Sequence, residues 1–144
     1  MREKILMLVE DNPDDVELTK LALKNEAVEC ELVIMNDGTE VLDHFSKLDN
    51  STDIMPDVIL LDLKMPRIGG LEVLKHLRSN DETRFIPVVI LTSSDEEKDI
   101  IESYNLGANS YIRKPVNFEE FCETISVLGK YWLMLNEYAL KLSG

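Results

Sequence analysis

Apolar residues recur along this chain in two alternating rhythms. Short uninterrupted runs lie within Lys4–Val9, Glu31–Met35, Asp57–Leu61 and Ile86–Leu91, and a shorter one lies within Ser110–Arg113. They are too short for helices and rich in β-branched and aliphatic residues, as expected of strands buried on both faces of a parallel sheet. Between them the apolar positions spread to helical spacing. Leu18, Leu21 and Ala22 mark one face of a helix ending near Asn25, with Asp11 or Asn12 as cap and Pro13 in the first turn. Val41, Phe45 and Leu48 mark a second helix after the Asn36-Asp37-Gly38 turn, and Leu71, Leu74 and Leu77 a third after Gly69-Gly70. A fourth begins in the acidic stretch Asp95-Glu96-Glu97 and stops at Gly107, and Asn117 caps a fifth. Asp49 to Pro56 breaks the periodicity and reads as a loop. Strands alternating with helices predict an α/β domain with a parallel sheet and helices on both faces.

The ends of these runs carry the chemistry. The first strand stops at Glu10-Asp11, the third at Asp62, the fourth at Thr92 and the fifth at Lys114. In a parallel sheet all carboxyl ends share one edge, the edge at which open α/β folds bind ligands. Three converging carboxylates repel one another unless a cation lies among them, and hard oxygen donors suit Mg²⁺. A carboxylate nucleophile at Asp62, a metal, a hydroxyl and an ammonium together make a phosphoryl-transfer site. Singly, each residue has a plainer reading: Asp11 as a helix cap, Thr92 as structure, Lys114 as a surface lysine. Their coincidence at four strand ends of one sheet carries the functional reading.

Composition narrows the field. With 28 acids against 15 bases in 144 residues the net charge is −13, which opposes direct binding to nucleic acid or an anionic membrane surface. The amino terminus, Met1-Arg2-Glu3-Lys4, carries no signal-peptide pattern, and no apolar run approaches a membrane span. Cys30 and Cys122 show neither metal spacing nor a disulfide framework, so both are expected as reduced thiols in a cytoplasmic protein. Asn50-Ser51-Thr52 fits a glycosylation pattern that has no meaning without secretion. His44 and His76 read as solvated helix positions.

At these residues the chain resembles the receiver domain of two-component response regulators. The resemblance runs from about Lys4 to Leu128 and rests on Glu10-Asp11, Asp62-x-x-Met65-Pro66 with Gly70, Thr92-Ser93, Tyr111 and Lys114-Pro115. It implies a flavodoxin-like, doubly wound five-stranded parallel sheet of order 2-1-3-4-5. It implies that Asp62 accepts a phosphoryl group from the phosphohistidine of a sensor histidine kinase. Asp11, Asp62 and the backbone carbonyl of Lys64 would bind Mg²⁺ directly, with Glu10 acting through water. Lys114 would pair with the phosphoryl group across a cis Lys114–Pro115 bond, and Thr92 and Tyr111 would form the switch. Glu10 stands where Asp is commoner, and Gly69 where the family often has Asp. The long Asp49–Pro56 segment, the Asp11-Asn12-Pro13-Asp14-Asp15 start and the Tyr131-Trp132 tail resemble the stand-alone regulators that serve bacterial phytochromes.

A receiver spanning 1–128 leaves 129–144, expected as a helical extension without a separate output domain, so that signalling passes through a protein surface to an unidentified target. Phe118, Phe121, Ile125, Leu128, Trp132, Leu135, Ala139 and Leu142 keep a 3-4-3-4 spacing, and Tyr131, Met134 and Tyr138 widen the stripe beyond the domain. That stripe predicts a homodimer surface at Tyr131, Trp132, Leu135 and Tyr138. The alternative is a tail folded back on its own domain, turning at Gly129. Other uses of such a strand-end site fit less well. A phosphatase of the haloacid dehalogenase type needs a second Asp two residues after the nucleophile, where Lys64 stands. A flavin or nucleotide carrier lacks a glycine-rich phosphate loop. A phosphorylation-independent adaptor has no need of the intact acid set.

Overall fold

The structure is a computed structural model, and it describes residues 3–47 and 55–139. Five strands, β1 (Ile5–Val9), β2 (Glu31–Met35), β3 (Val58–Leu61), β4 (Val88–Thr92) and β5 (Ser110–Arg113), form one parallel sheet in the order β2-β1-β3-β4-β5. Register runs straight across the centre: Leu6 pairs with Val58 and Leu8 with Leu60, and Ile59 pairs with Val88. Alternation divides each strand between two cores. Leu6, Leu8, Leu60, Val89 and Leu91 face α1 (Pro13–Asn25) and α5 (Phe118–Gly129). Met7, Val9, Ile59, Leu61 and Ile90 face the layer of α2 (Gly38–Ser46), α3 (Gly70–Ser79) and α4 (Glu97–Asn105). β1, β3 and β4 are buried along their whole length, which is why they carry apolar runs without alternation.

The helix starts follow their caps. The Asn12 side-chain oxygen accepts from the Asp14 and Asp15 amides at 2.9 and 3.4 Å, Asp37 accepts from Glu40 at 2.9 Å, and Asn117 from Glu120 at 3.2 Å. The Asn12 cap fixes the phase of α1, and this corrects its expected inner face: Val16, Thr19, Ala22 and Leu23 are buried, whereas Leu18 and Leu21 face solvent. Leu48, Leu142, Asn50-Ser51-Thr52 and most of the Asp49–Pro56 segment lie outside the described residues.

The edge of the sheet remote from the acids is closed by Arg78. Its guanidinium donates to the carbonyls of Gly107 (2.9 Å), Arg84 (3.0 Å) and Ile86 (2.8 Å) and to Asn109 Oδ1 (2.9 Å). Burial lowers the affinity of this guanidinium for its proton. Gly107, at φ 101°, supplies the left-handed turn that brings its carbonyl there.

The carboxyl-terminal segment departs from expectation. The apolar stripe predicts an uninterrupted helix to Leu142, but after Gly129 the winding widens to a π-helix, α6 (Lys130–Leu135), and the chain becomes extended at Asn136. The Asn136 amide donates to the Tyr131 carbonyl, five residues back, at 2.7 Å. Each wide turn takes up an extra residue, so the stripe slips in phase. Leu133, not Leu135, is delivered to the α1–α5 core, and Trp132 packs beside it. Tyr138 turns back, its hydroxyl bonded to the Trp132 carbonyl and its ring 4.6 Å from the Lys4 ammonium. Gly129, the turn in the alternative fold-back reading, is helical instead, and a side chain there would meet Val28 at 2.7 Å; the tail nonetheless packs on its own domain through Leu133 and Trp132.

Candidate functional site

The carboxyl ends of β1, β3, β4 and β5 converge as the strand order requires. Glu10 and Asp62 are buried, Asp11 is exposed, and ligand oxygens of the three lie within 4.8 Å of one another. Two backbone bonds fix the acids. The Glu10 amide donates to Met35 O at 3.0 Å, and the Asp62 amide to Val9 O at 3.1 Å. Gly70 allows the start of α3 to lie against this strand end, since a Cβ there would come within 2.3 Å of the Asp62 carbonyl oxygen. An all-oxygen set with one open side suits a hard divalent cation.

Lys114 faces the cluster from β5. Its ammonium lies 2.5 Å from Glu10 Oε1, 2.9 Å from Asp15 Oδ2 and 3.3 Å from Asp62 Oδ2. The Lys114–Pro115 bond, expected cis, is trans, like every peptide bond among the described residues. A trans linkage is the intrinsically favoured one, and with it the Lys114 amide still reaches Thr92 O at 2.7 Å while the side chain reaches the acids. Burial pushes the Glu10 carboxyl up to about 7, against the Lys114 bond that lowers it and with the Asp62 charge that raises it. For Lys114 burial works downward, but its bonds to Glu10 and Asp15 and the nearby negative charges outweigh burial and raise it above the ordinary lysine range.

Thr92 is fully buried at the end of β4. Its Oγ1 lies 3.5 Å from the Ser94 amide, and the Tyr111 hydroxyl donates to Ser94 O at 2.8 Å. The Lys64 amide donates to Asp62 Oδ1 at 3.3 Å, whereas its ammonium turns away to Asp99 Oδ2 at 3.1 Å. The Ser94 hydroxyl donates to the same Asp99 oxygen at 2.6 Å. This bond and the Lys64 ammonium hold the Asp99 carboxyl below the usual carboxylate range despite its burial. Residues 10, 11, 62, 64, 92, 111 and 114 are thus brought to one edge. Asp15 and Asp99 are two site neighbours the sequence reading passed over. Asp15 lies in the first turn of α1, where an acid reads simply as a favourable partner of the helix dipole. Asp99 sits in an acidic helix start, where nothing distinguishes it from Glu96 or Glu97.

The remaining candidates lie elsewhere. Tyr131 and Leu135 are exposed, at 48% and 71%, while Trp132 and Tyr138 are half-buried against their own domain. His76 is exposed, and His44 is half-buried with its ring edge-on to Phe45. No helix among the described residues is long and apolar enough to cross a membrane.

Known proteins resemble this chain in sequence and fold. The model of the response regulator receiver domain matches residues 6–126. Response regulator Rcp1 of Synechocystis sp. is 36% identical over 133 residues, covering 90% of this chain and 89% of Rcp1. Among solved structures, the phosphorylated cyanobacterial phytochrome response regulator RcpA superposes with a TM-score of 0.86 at 36% identity, covering 95% of this chain and 99% of RcpA. The Mn²⁺-bound form of Rcp1 superposes with a TM-score of 0.84 at 33% identity, covering 95% and 99%.

Proposed function

The chain belongs to the response regulator receiver family of two-component signalling, and from that premise we propose that Asp62 is its phospho-acceptor. Receivers take phosphoryl groups from histidine kinases. Here an Asp62 oxygen would attack phosphorus as the P–N bond to a kinase imidazole breaks, the imidazole leaving with a proton taken from solvent. The observation that carries this reading is the meeting of the buried Asp62 carboxylate with the Lys114 ammonium and the Glu10–Asp11 pair. Asp11, Asp62 and the Lys64 carbonyl would hold Mg²⁺, with Glu10 acting through water. The metal, when bound, offsets negative charge on the transferring oxygens. Lys114 orients and neutralises the incoming group, and Thr92 with Tyr111 reads its arrival. Catalysis is confined to the chain's own phosphorylation and dephosphorylation. The test is incubation with acetyl phosphate and Mg²⁺ followed by mass measurement. The wild-type chain should gain one phosphoryl group and Asp62→Asn none; an Asp62→Asn chain that gains it equally refutes the assignment.

The name of RcpA, a cyanobacterial phytochrome response regulator, supports a phytochrome-type sensor kinase as donor; the cytoplasm is the compartment proposed, and the net charge of −13 supports a downstream protein rather than nucleic acid as target. The exposed Tyr131 and Leu135 support a homodimer formed through the end of α5 and α6, with Trp132 and Tyr138 shaping that surface from beneath. Sedimentation equilibrium would show a dimer for the full chain and a monomer for Leu135→Glu; a wild-type monomer at tens of micromolar, with and without phosphorylation, rules the dimer out.

A further inference from the structure

The buried carboxylate of Asp99 has no part in the chemistry above. It lies in the first turn of α4, with a side chain only 5% exposed. Its backbone is fixed, since the Ser103 hydroxyl donates to its carbonyl at 2.7 Å. One oxygen, Oδ2, receives both the Ser94 hydroxyl at 2.6 Å and the Lys64 ammonium at 3.1 Å. Those two donors come from different loops. Lys64 stands two residues after Asp62 and donates its amide to the Asp62 carboxylate. Ser94 stands two residues after Thr92, directs its amide to Thr92 Oγ1, and accepts the Tyr111 hydroxyl on its carbonyl. Asp99 therefore joins the residue beside the acceptor to the residue beside the switch hydroxyl.

We propose that Asp99 is a positioning residue that holds the switch at rest: by tying Ser94 to Lys64 it keeps the Thr92 hydroxyl with the Ser94 amide and away from Asp62. This rests on the roles given above to Asp62 and Thr92. When the hydroxyl turns toward a phosphoryl group, the Ser94 loop must follow, and both contacts of Asp99 Oδ2 are stretched together. The Ser94 bond carries more of the restraint than the Lys64 pair, whose lysine side chain is 56% exposed and whose charge is therefore screened by water. A second effect has the same origin. Asp99 draws the Lys64 ammonium away from the acids, leaving Lys114 as their cationic partner.

Amide resonances of Thr92, Ser94 and Tyr111 in the full-length ¹⁵N-labelled chain, at constant Mg²⁺, test this. The wild type is recorded without and with beryllofluoride, an analogue of the phosphoryl group. Asp99→Asn without beryllofluoride should displace these amides along the line joining the two wild-type positions. Its switched fraction should rise about 5-fold or more, the lower end of ordinary allosteric couplings, and beryllofluoride should bind tighter by the same factor. Ser94→Ala releases the same tie from its other side and should move the amides the same way, which covers the case that Asp99→Asn does not fold. Amides of both variants at the resting wild-type positions, or displaced off the line with unchanged beryllofluoride affinity, overturn the inference. A wild-type chain that does not shift with beryllofluoride overturns the proposed function, and this inference with it.

Discussion

Replacing Lys114 by Met removes the ammonium that faces Glu10, Asp15 and Asp62 while keeping the length of its stem. The side chains of Lys114, Glu10 and Asp62 are 14%, 3% and 8% exposed, so the lost pairing is largely buried; Asp15, at 32%, contributes little. Removing one partner of a buried ion pair costs about 3–5 kcal/mol, and with water reaching the Asp11 side the lower end applies, about 3 kcal/mol without metal. The loss should depend on pH. In the fold Glu10 keeps its proton to about pH 7 against an ordinary 4.5. Between those values the folded chain binds more protons than the unfolded one, so stability falls as pH rises. Without Lys114 the bond that lowers Glu10 is gone, and the proton is held to still higher pH. At pH 6 Glu10 is neutral, one repelling carboxylate fewer, and the cost should shrink to roughly half. Mg²⁺ at about a hundred times its dissociation constant should restore up to about 2.7 kcal/mol, and it should bind the variant more tightly, because Lys114 competes for the same oxygens. Urea denaturation of wild type and variant at pH 6 and 8, each with and without Mg²⁺, measures all four quantities. A loss equal at both pH values and untouched by Mg²⁺ would refute the reasoning.

Other substitutions separate the supports of the site from the site itself. Gly70→Ala drives a methyl into the Asp62 carbonyl at 2.3 Å and the Leu63 Cα at 2.7 Å. It should cost about 3 kcal/mol or more, with faster amide exchange at Asp62, whose hydrogen bond to Val9 O it strains. Leu133→Ala should cost about 2–5 kcal/mol by thermal denaturation, whereas Met134→Ala, at an exposed neighbour, should be nearly neutral; equal effects would place the segment outside the core. Asn12→Ala removes the acceptor for the Asp14 and Asp15 amides. It should cost about 1 kcal/mol and, by loosening the first turn of α1, weaken the Asp15–Lys114 contact, read from the NMR chemical shifts of the Lys114 side chain.

The sheet and the site were legible in the sequence because their causes are local. A strand buried on both faces leaves an uninterrupted apolar run, and a polar group at its end has nowhere to go but the edge of the sheet. Hence the positions of Asp62, Thr92 and Lys114 at the sheet edge follow from the sequence alone. The inner face of α1 was misread because a Leu counts as apolar wherever it falls, while the phase set by the Asn12 cap decides which positions face inward. The tail was misread for a related reason. A 3-4-3-4 count presumes a constant 3.6-residue turn, and the change of winding after Gly129 exchanges Leu135 for Leu133. Asp99 was invisible because its importance lies in meeting Lys64, 35 residues away in the chain. The trans Lys114–Pro115 bond could not be read from the dipeptide, which permits either isomer.

The Arg78 clamp has a mechanical consequence. It fastens the foot of β4, the turn before β5 and the end of α3 to one rigid, permanently charged group. Its acceptors are carbonyl and amide oxygens, none of which titrates. At the opposite edge the same strands are held by carboxylates, an ammonium and hydroxyls, contacts that protons, metal or phosphate can rearrange. A layer pinned at its foot and loosely tied at its head can tilt but cannot slide. Displacement begun at Thr92 would therefore grow with distance from Arg78, and α4, a rod of about 13 Å at 1.5 Å per residue, would swing like a door whose hinge no change of pH loosens.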